Sequence, residues 1–137
     1  MNKYSISIFL LTCATLISWQ TQPGLKASIE RGKSVYETYC LSCHQADGSG
    51  VPRLNPPLSK VKYVTGDKKE LITIILNGLD KEIEINGEFY NNVMAPHNFL
   101  KDQEIADVLT YVRNSFGNKA SAVTPAEVKT VRTALDK

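Results

Sequence analysis

Metal-binding side chains are scarce in this 137-residue chain: it has three cysteines, two histidines, two methionines and a single tryptophan. A structural zinc needs four Cys or His ligands. Cys13 sits in an apolar N-terminal segment, so outside the stretch Cys40–His44 only His97 is left, too few to close such a site. A surplus of one charge is missing as well. Setting aside residues 1–27, which hold Lys3 and Lys26, leaves 14 of the 16 basic groups against 14 acidic ones, which gives no support to nucleic-acid binding. No apolar run reaches the roughly 20 residues of a transmembrane helix. No alternating strand pattern precedes Cys40, so the α/β setting of a thioredoxin-like dithiol is absent too. There is no internal repeat and no low-complexity tract.

What the chain does have is Cys40-Leu41-Ser42-Cys43-His44. Two thiols one helical turn apart can each add to a vinyl group on one porphyrin edge, and the next side chain then lies beneath the iron. This C-x-x-C-H pattern is that of covalent haem attachment. His44 is the expected proximal ligand, and a carbonyl near Pro56 is the expected acceptor for its other ring nitrogen.

The N-terminus reads as an export signal. Lys3 supplies the positive charge, Ile6 to Trp19 is apolar apart from a few Ser and Thr, and the breaker Pro23-Gly24 follows. We place residues 1–27 as a signal peptide, 28–119 as one domain and 120–137 as a C-terminal extension, with cleavage after Ala27. Leu10-Leu11-Thr12-Cys13 faintly resembles a lipoprotein box, but Thr12 fits poorly and the residues after Cys13 stay apolar. Membrane association is expected only through this segment. If the leader is removed, Cys40 and Cys43 are the only thiols left in an oxidising compartment, and they must form a disulfide or carry haem. The adjacent His44 favours haem.

Along the chain, Ser28 stands where a helix N-cap would, and the first helix is expected to run from there into the cysteine motif. Gly32 inside it costs about 1 kcal/mol relative to alanine, which implies a second helix crossing closely, with Tyr36 at the border. Residues 45–57, rich in Gly, Pro, Asp and Asn, form a loop. Lys68 to Leu79 has helical spacing through Leu71, Ile74, Ile75 and Leu79. The run Ile83–Tyr90 carries an Asn86-Gly87 hairpin signal. Asp102 to Phe116 is a strongly amphipathic helix and the partner for the Gly32 crossing. Thr124-Pro125-Ala126-Glu127 opens a last short helix.

A haem iron that shuttles electrons without binding substrates needs a sixth ligand, and a thioether raises its reduction potential. Met1 belongs to the leader, so Met94 is the candidate, in the turn-rich stretch Asn91–Pro96. His97 is the competitor, through nitrogen.

Taken together, several segments resemble the class I cytochromes c of the small bacterial monohaem kind. They are Gly32 and Tyr36 ahead of the Cys40-x-x-Cys43-His44 motif, the Asn55-Pro56-Pro57-Leu58 loop, the run Gly87–Met94, and Ile105–Arg113. The resemblance covers about Ile29 to Asn118. It implies an all-α fold of few helices wrapped around one haem c, with a small hairpin before the methionine loop. Cys40 and Cys43 would be attachment sites, and His44 and Met94 the metal ligands. It implies an electron carrier, not an enzyme, working in the periplasm with a redox partner protein: a dehydrogenase, a reductase or a terminal oxidase. An electron-accepting subunit of a dehydrogenase or respiratory complex is the alternative; an open-site haem enzyme or sensor comes behind it. Ala95 follows Met94 where the family often has proline, and Lys101 stands where Ser or Thr usually opens the last helix. With Trp19 in the leader, Arg53, Tyr63 and Tyr90 are the candidate donors to the haem propionates. A basic cluster (Lys60, Lys62, Lys68, Lys69) and an acidic one (Glu82, Glu84, Glu88) are candidate steering patches.

Overall fold

The structure, a computed structural model, describes residues 23–137. Of the leader read as residues 1–27, residues 1–22, with Cys13 and Trp19, lie outside the described residues, while Pro23 to Ala27, with the expected breaker Pro23-Gly24, are helical and open the first helix. Among those described, no helix is long and apolar enough to cross a membrane.

Six helices and one hairpin follow in the order α1 (Pro23–Tyr39), α2 (Leu41–His44), α3 (Lys62–Thr65), α4 (Lys68–Asn77), β1 (Ile83–Ile85), β2 (Glu88–Tyr90), α5 (Asp102–Arg113) and α6 (Pro125–Leu135). Helix α5 is the hub, meeting α1, α3, α4 and α6. Its sequence explains why: Ile105, Ala106, Val108, Leu109 and Val112 are all buried, an apolar surface too broad for a single neighbour to cover.

The α1–α5 crossing is as close as Gly32 implies. A Cβ at Gly32 would run into the Asp107 carbonyl and lie 2.8 Å from Tyr111 Cβ, so any larger side chain must separate the two backbones. Tyr36, 1 % exposed, closes the crossing. Its ring centroid stands 5.4 Å from that of Tyr111 and its hydroxyl donates to the Gln45 carbonyl at 2.6 Å. Beside it Asp107 accepts from Ser28 Oγ (2.6 Å), Arg31 Nε (2.7 Å) and Gln103 Nε2 (3.0 Å). Burial by itself would raise the Asp107 pKa, but these donors outweigh it and hold the carboxyl below its ordinary range. Ser28 is therefore not the cap of α1: the helix begins at Pro23, and the serine hydroxyl faces α5.

Helix α4 is capped by Asp67, which accepts from the Glu70 amide, and stops at Asn77, two residues short of the expected Leu79. It buries Ile72, Ile75 and Leu76 in the core. The hairpin pairs Ile83 with Tyr90 and Ile85 with Glu88. Its turn residues Asn86 and Gly87 both have positive φ, 55° and 84°, as a two-residue turn of this hand requires. Helix α5 ends at Arg113, before the expected Phe116: Asn114 already leaves helical dihedrals, at φ −126° and ψ 14°, and Phe116 and Gly117 then turn to positive φ. Lys101 offers no acceptor to the first turn of α5, and only the reverse bond forms, from the Lys101 amide to Glu104 at 2.8 Å.

The segment we read as an extension is packed into the fold. Helix α6 has the Thr124–Glu127 capping box, with Pro125 in its first turn, and it buries Val128 and Val131 in one cluster with Ile72, Leu100, Ile105 and Leu109. Val123 ahead of it exchanges hydrogen bonds with the Thr110 hydroxyl.

Candidate functional site

Between α4, α5, the hairpin and loop 45–61 lies an apolar cleft of about 750 Å³, counted to its open mouth, within the size range of cofactor pockets. Its floor is Val108, Leu109 and Val112 of α5. Leu71 and Ile74 of α4 are only half-buried, and they line this cleft. The helix thus has two apolar faces, one for the core and one for the cleft, and its sequence periodicity blends them. A second cleft of about 900 Å³ adjoins the first, sharing Cys40, His44, Pro56, Leu79, Ile83 and Met94, and adds Cys43 and His97.

Cys40, Cys43 and His44 arrive together because α1 ends at Tyr39 and the chain enters the single turn α2. The His44 amide donates to the Cys40 carbonyl at 2.9 Å. Cys40 is half-buried and Cys43 exposed. Burial, with the neighbouring Cys43 adding, pushes the Cys40 thiol up to about 11. His44 Nδ1 lies 3.0 Å from the Pro56 carbonyl. A carbonyl can only accept, so Nδ1 carries the proton and Nε2 keeps its lone pair. Burial lowers the His44 pKa; the Pro56 bond offsets some of this and His97 adds to the lowering. A neutral imidazole with one nitrogen fixed by a carbonyl is the form that ligates a metal.

Met94 lines both clefts with Cys40 and His44. It is held from behind. Leu79 and Met94 exchange two backbone hydrogen bonds of 2.9 Å, and the His97 amide donates to the Ile75 carbonyl at 2.7 Å. The approach depends on Gly78, at φ 75°, where a Cβ would strike the Met94 carbonyl. In the sequence Gly78 marks only a helix end, with no sign of this contact.

His97 lies on the second cleft beside Cys43, its ring near Tyr39 and Phe99 with centroid distances of 6.4 and 5.7 Å. Its Nδ1 is buried with no hydrogen-bond partner among the described residues. Of the three candidate propionate donors, Tyr63 lines the first cleft and Tyr90 the second. Arg53 lines neither: it sits on a separate groove with Glu82, Glu88 and Phe89. Asn55, to which the sequence pattern assigns no role beyond the loop, is buried on the second cleft and accepts from Asn92 Nδ2 at 2.7 Å. That bond ties the proximal loop to the run before Met94.

The donor set fits a covalently held haem: a thiol pair at an apolar mouth, a neutral histidine with one nitrogen free, and a thioether lining the same walls. Groups of three or more His, Cys, Asp and Glu that could hold a bare metal ion are absent among the described residues.

Comparison with known proteins agrees. A family profile described as Cytochrome c matches residues 29–116. The chain is 34 % identical to cytochrome c-552 of Thermus thermophilus over 86 % of its own length and 85 % of that protein. It is 30 % identical to a cytochrome c6-like protein of Nostoc over 82 % and 92 %. It is also 35 % identical to the fructose dehydrogenase cytochrome subunit of Gluconobacter japonicus, over 74 % of this chain but 22 % of that subunit.

Proposed function

The chain belongs to the cytochrome c family, and from that premise we propose which residues carry its haem c and where it works. Membership makes it an electron carrier with covalent haem, which supplies an iron that cycles between the ferrous and ferric states. Cys40 and Cys43 form the two thioethers, His44 ligates through Nε2, and Met94 holds the sixth position. One observation carries this reading: Cys40, His44 and Met94 line the same apolar cleft, although 50 residues of chain separate the last two.

Each residue has a physical task. Pro56 fixes the imidazole of His44 through its carbonyl and raises its basicity. Leu71, Ile74, Val108 and Val112 exclude water, which keeps the charge change at the iron in a low-dielectric setting. The Met94 thioether favours the ferrous state and leaves no position open for a substrate. Residues 1–27 direct export, and the protein works in the periplasm.

The test is ligand access. Ferric protein matured with haem should show the weak far-red sulfur-to-iron band, and ferrous protein should resist carbon monoxide. Rapid carbon monoxide binding without that band would mean an open site, and the carrier reading would fall to the enzyme or sensor alternative. Similarity to dehydrogenase cytochrome subunits favours a second reading, a carrier that docks on a dehydrogenase as its electron acceptor. Recovery of the protein bound to such an enzyme from membranes would decide for it.

A further inference from the structure

The family match ends at residue 116, yet a side chain beyond it reaches the stretch that joins the Met94 segment to α5. We propose that Arg132, on α6, is a positioning residue for the sixth ligand: it clamps the stretch between Met94 and α5, and so restrains the methionine from leaving the iron. This rests on the assignment of Met94 as ligand.

The guanidinium uses three donors on one short stretch. Nη1 donates to the Asn98 carbonyl, Nη2 to the Leu100 carbonyl and Nε to Asp102 Oδ1, each at 2.8 Å. A planar fork can satisfy three acceptors spread over five residues; a lysine ammonium is a point charge and cannot hold that geometry. The clamped stretch continues directly into the ligand segment. The Leu100 amide donates to the His97 carbonyl at 3.1 Å, and the His97 amide to Ile75. Leu100 is buried in the cluster formed with Val128 and Val131 of α6, and Met94 packs against that cluster.

Two tethers therefore hold the Met94 segment to α4 and to Leu79 just past its end, and Arg132, from α6, is the third. Helix α6 does not need Arg132 for its own placement. Val128 and Val131 anchor it, its first turn is capped by Thr124, and Glu127 pairs with Lys68 at 2.9 Å. Loss of the arginine should loosen the clamped stretch while leaving the helix docked. An incoming ligand binds only molecules whose Met94 has come off, so its apparent affinity reports the population of that open state.

The experiment titrates the ferric holoprotein with imidazole and follows loss of the far-red band in the wild type, Arg132→Leu, Arg132→Lys and Thr124→Ala. Arg132→Leu should bind imidazole about tenfold more tightly, since charge-assisted bonds to two carbonyls and a carboxylate are lost, and Arg132→Lys should recover only some of the difference. The His97 and Leu100 amides should exchange hydrogen faster in Arg132→Leu. Thr124→Ala removes the cap of α6 without touching the cluster that Met94 packs against; it should lower the melting temperature and leave the imidazole affinity at the wild-type value. An unchanged affinity in Arg132→Leu, or an equal shift in Thr124→Ala, overturns the proposal. A wild type with no far-red band overturns the assignment of Met94 itself, which is a separable result.

Discussion

The two walls of the cleft are built by opposite strategies. On the His44 side everything is local: α2 is four residues long, the proposed ligand follows the second cysteine directly, and its orienting carbonyl lies 12 residues on, in the loop that the same segment opens. On the Met94 side almost nothing is local. Met94 sits in irregular chain and is placed by Leu79 from the end of α4, by the missing side chain at Gly78, and by contacts reaching forward to α6. A ligand set by neighbours in sequence tolerates change elsewhere in the fold, whereas one set by remote packing inherits the stability of whatever holds it.

The sharpest way to break this contrast is at the cysteines. Replacing both Cys40 and Cys43 by serine should abolish covalent retention, so that acid-acetone extracts all the haem, while the wild type keeps it. Extraction from the wild type would remove the attachment assignment. Next in size is Met94→Ala, which should eliminate the far-red band and lower the reduction potential by on the order of 100 mV, a fraction of the ~0.8 V range that axial ligands command. His97 lies three residues on, beside the same cleft, and its imidazole can replace the sulfur. The variant should then be low-spin at alkaline pH and become high-spin when His97 is also changed to alanine. A band that survives Met94→Ala would show that the distal wall is not organised around this residue.

Behind both walls lies the α1–α5 crossing. Gly32→Val must push the two backbones apart and should destabilise by about 3 kcal/mol, the upper end of overpacking effects; an unchanged thermal melt would mean the crossing is not tight. Asp107, at the same crossing, gives a smaller and pH-dependent effect. Its folded-state pKa lies below the unfolded value of about 3.9, so its contribution is complete above that value and is lost as pH falls through the folded one. Asp107→Asn should cost on the order of 1 kcal/mol near neutrality, and the difference from wild type should vanish in acid. Equal differences near neutral pH and in strong acid would contradict the linkage. The smallest effect is expected at Lys68, whose partly exposed pair with Glu127 ties α6 to α4. Lys68→Gln should lose about 0.5 kcal/mol, and less at high salt. That pairing also removes one lysine from the four of the candidate steering patch.

Legibility from the residues alone follows the same division. The Cys40–His44 motif, the Pro56 acceptor, the Gly32 crossing, the Asn86-Gly87 turn and the amphipathic stripe of α5 were all legible, because each depends on spacing within one element or on a residue with a single physical use. The start of α1, the end of α4, the short helix α3 and the remoteness of Arg53 from the cleft were not, because they depend on which partner each surface meets. Ser28 and Asp107 are 79 residues apart, and no local pattern announces their bond. The same holds for residues 120–137. In sequence they trail behind a finished domain, but Val128 and Val131 close the core and Arg132 reaches the stretch between Met94 and α5, contacts between distant stretches of the chain that exist only once tertiary packing has brought α6 across α4 and α5.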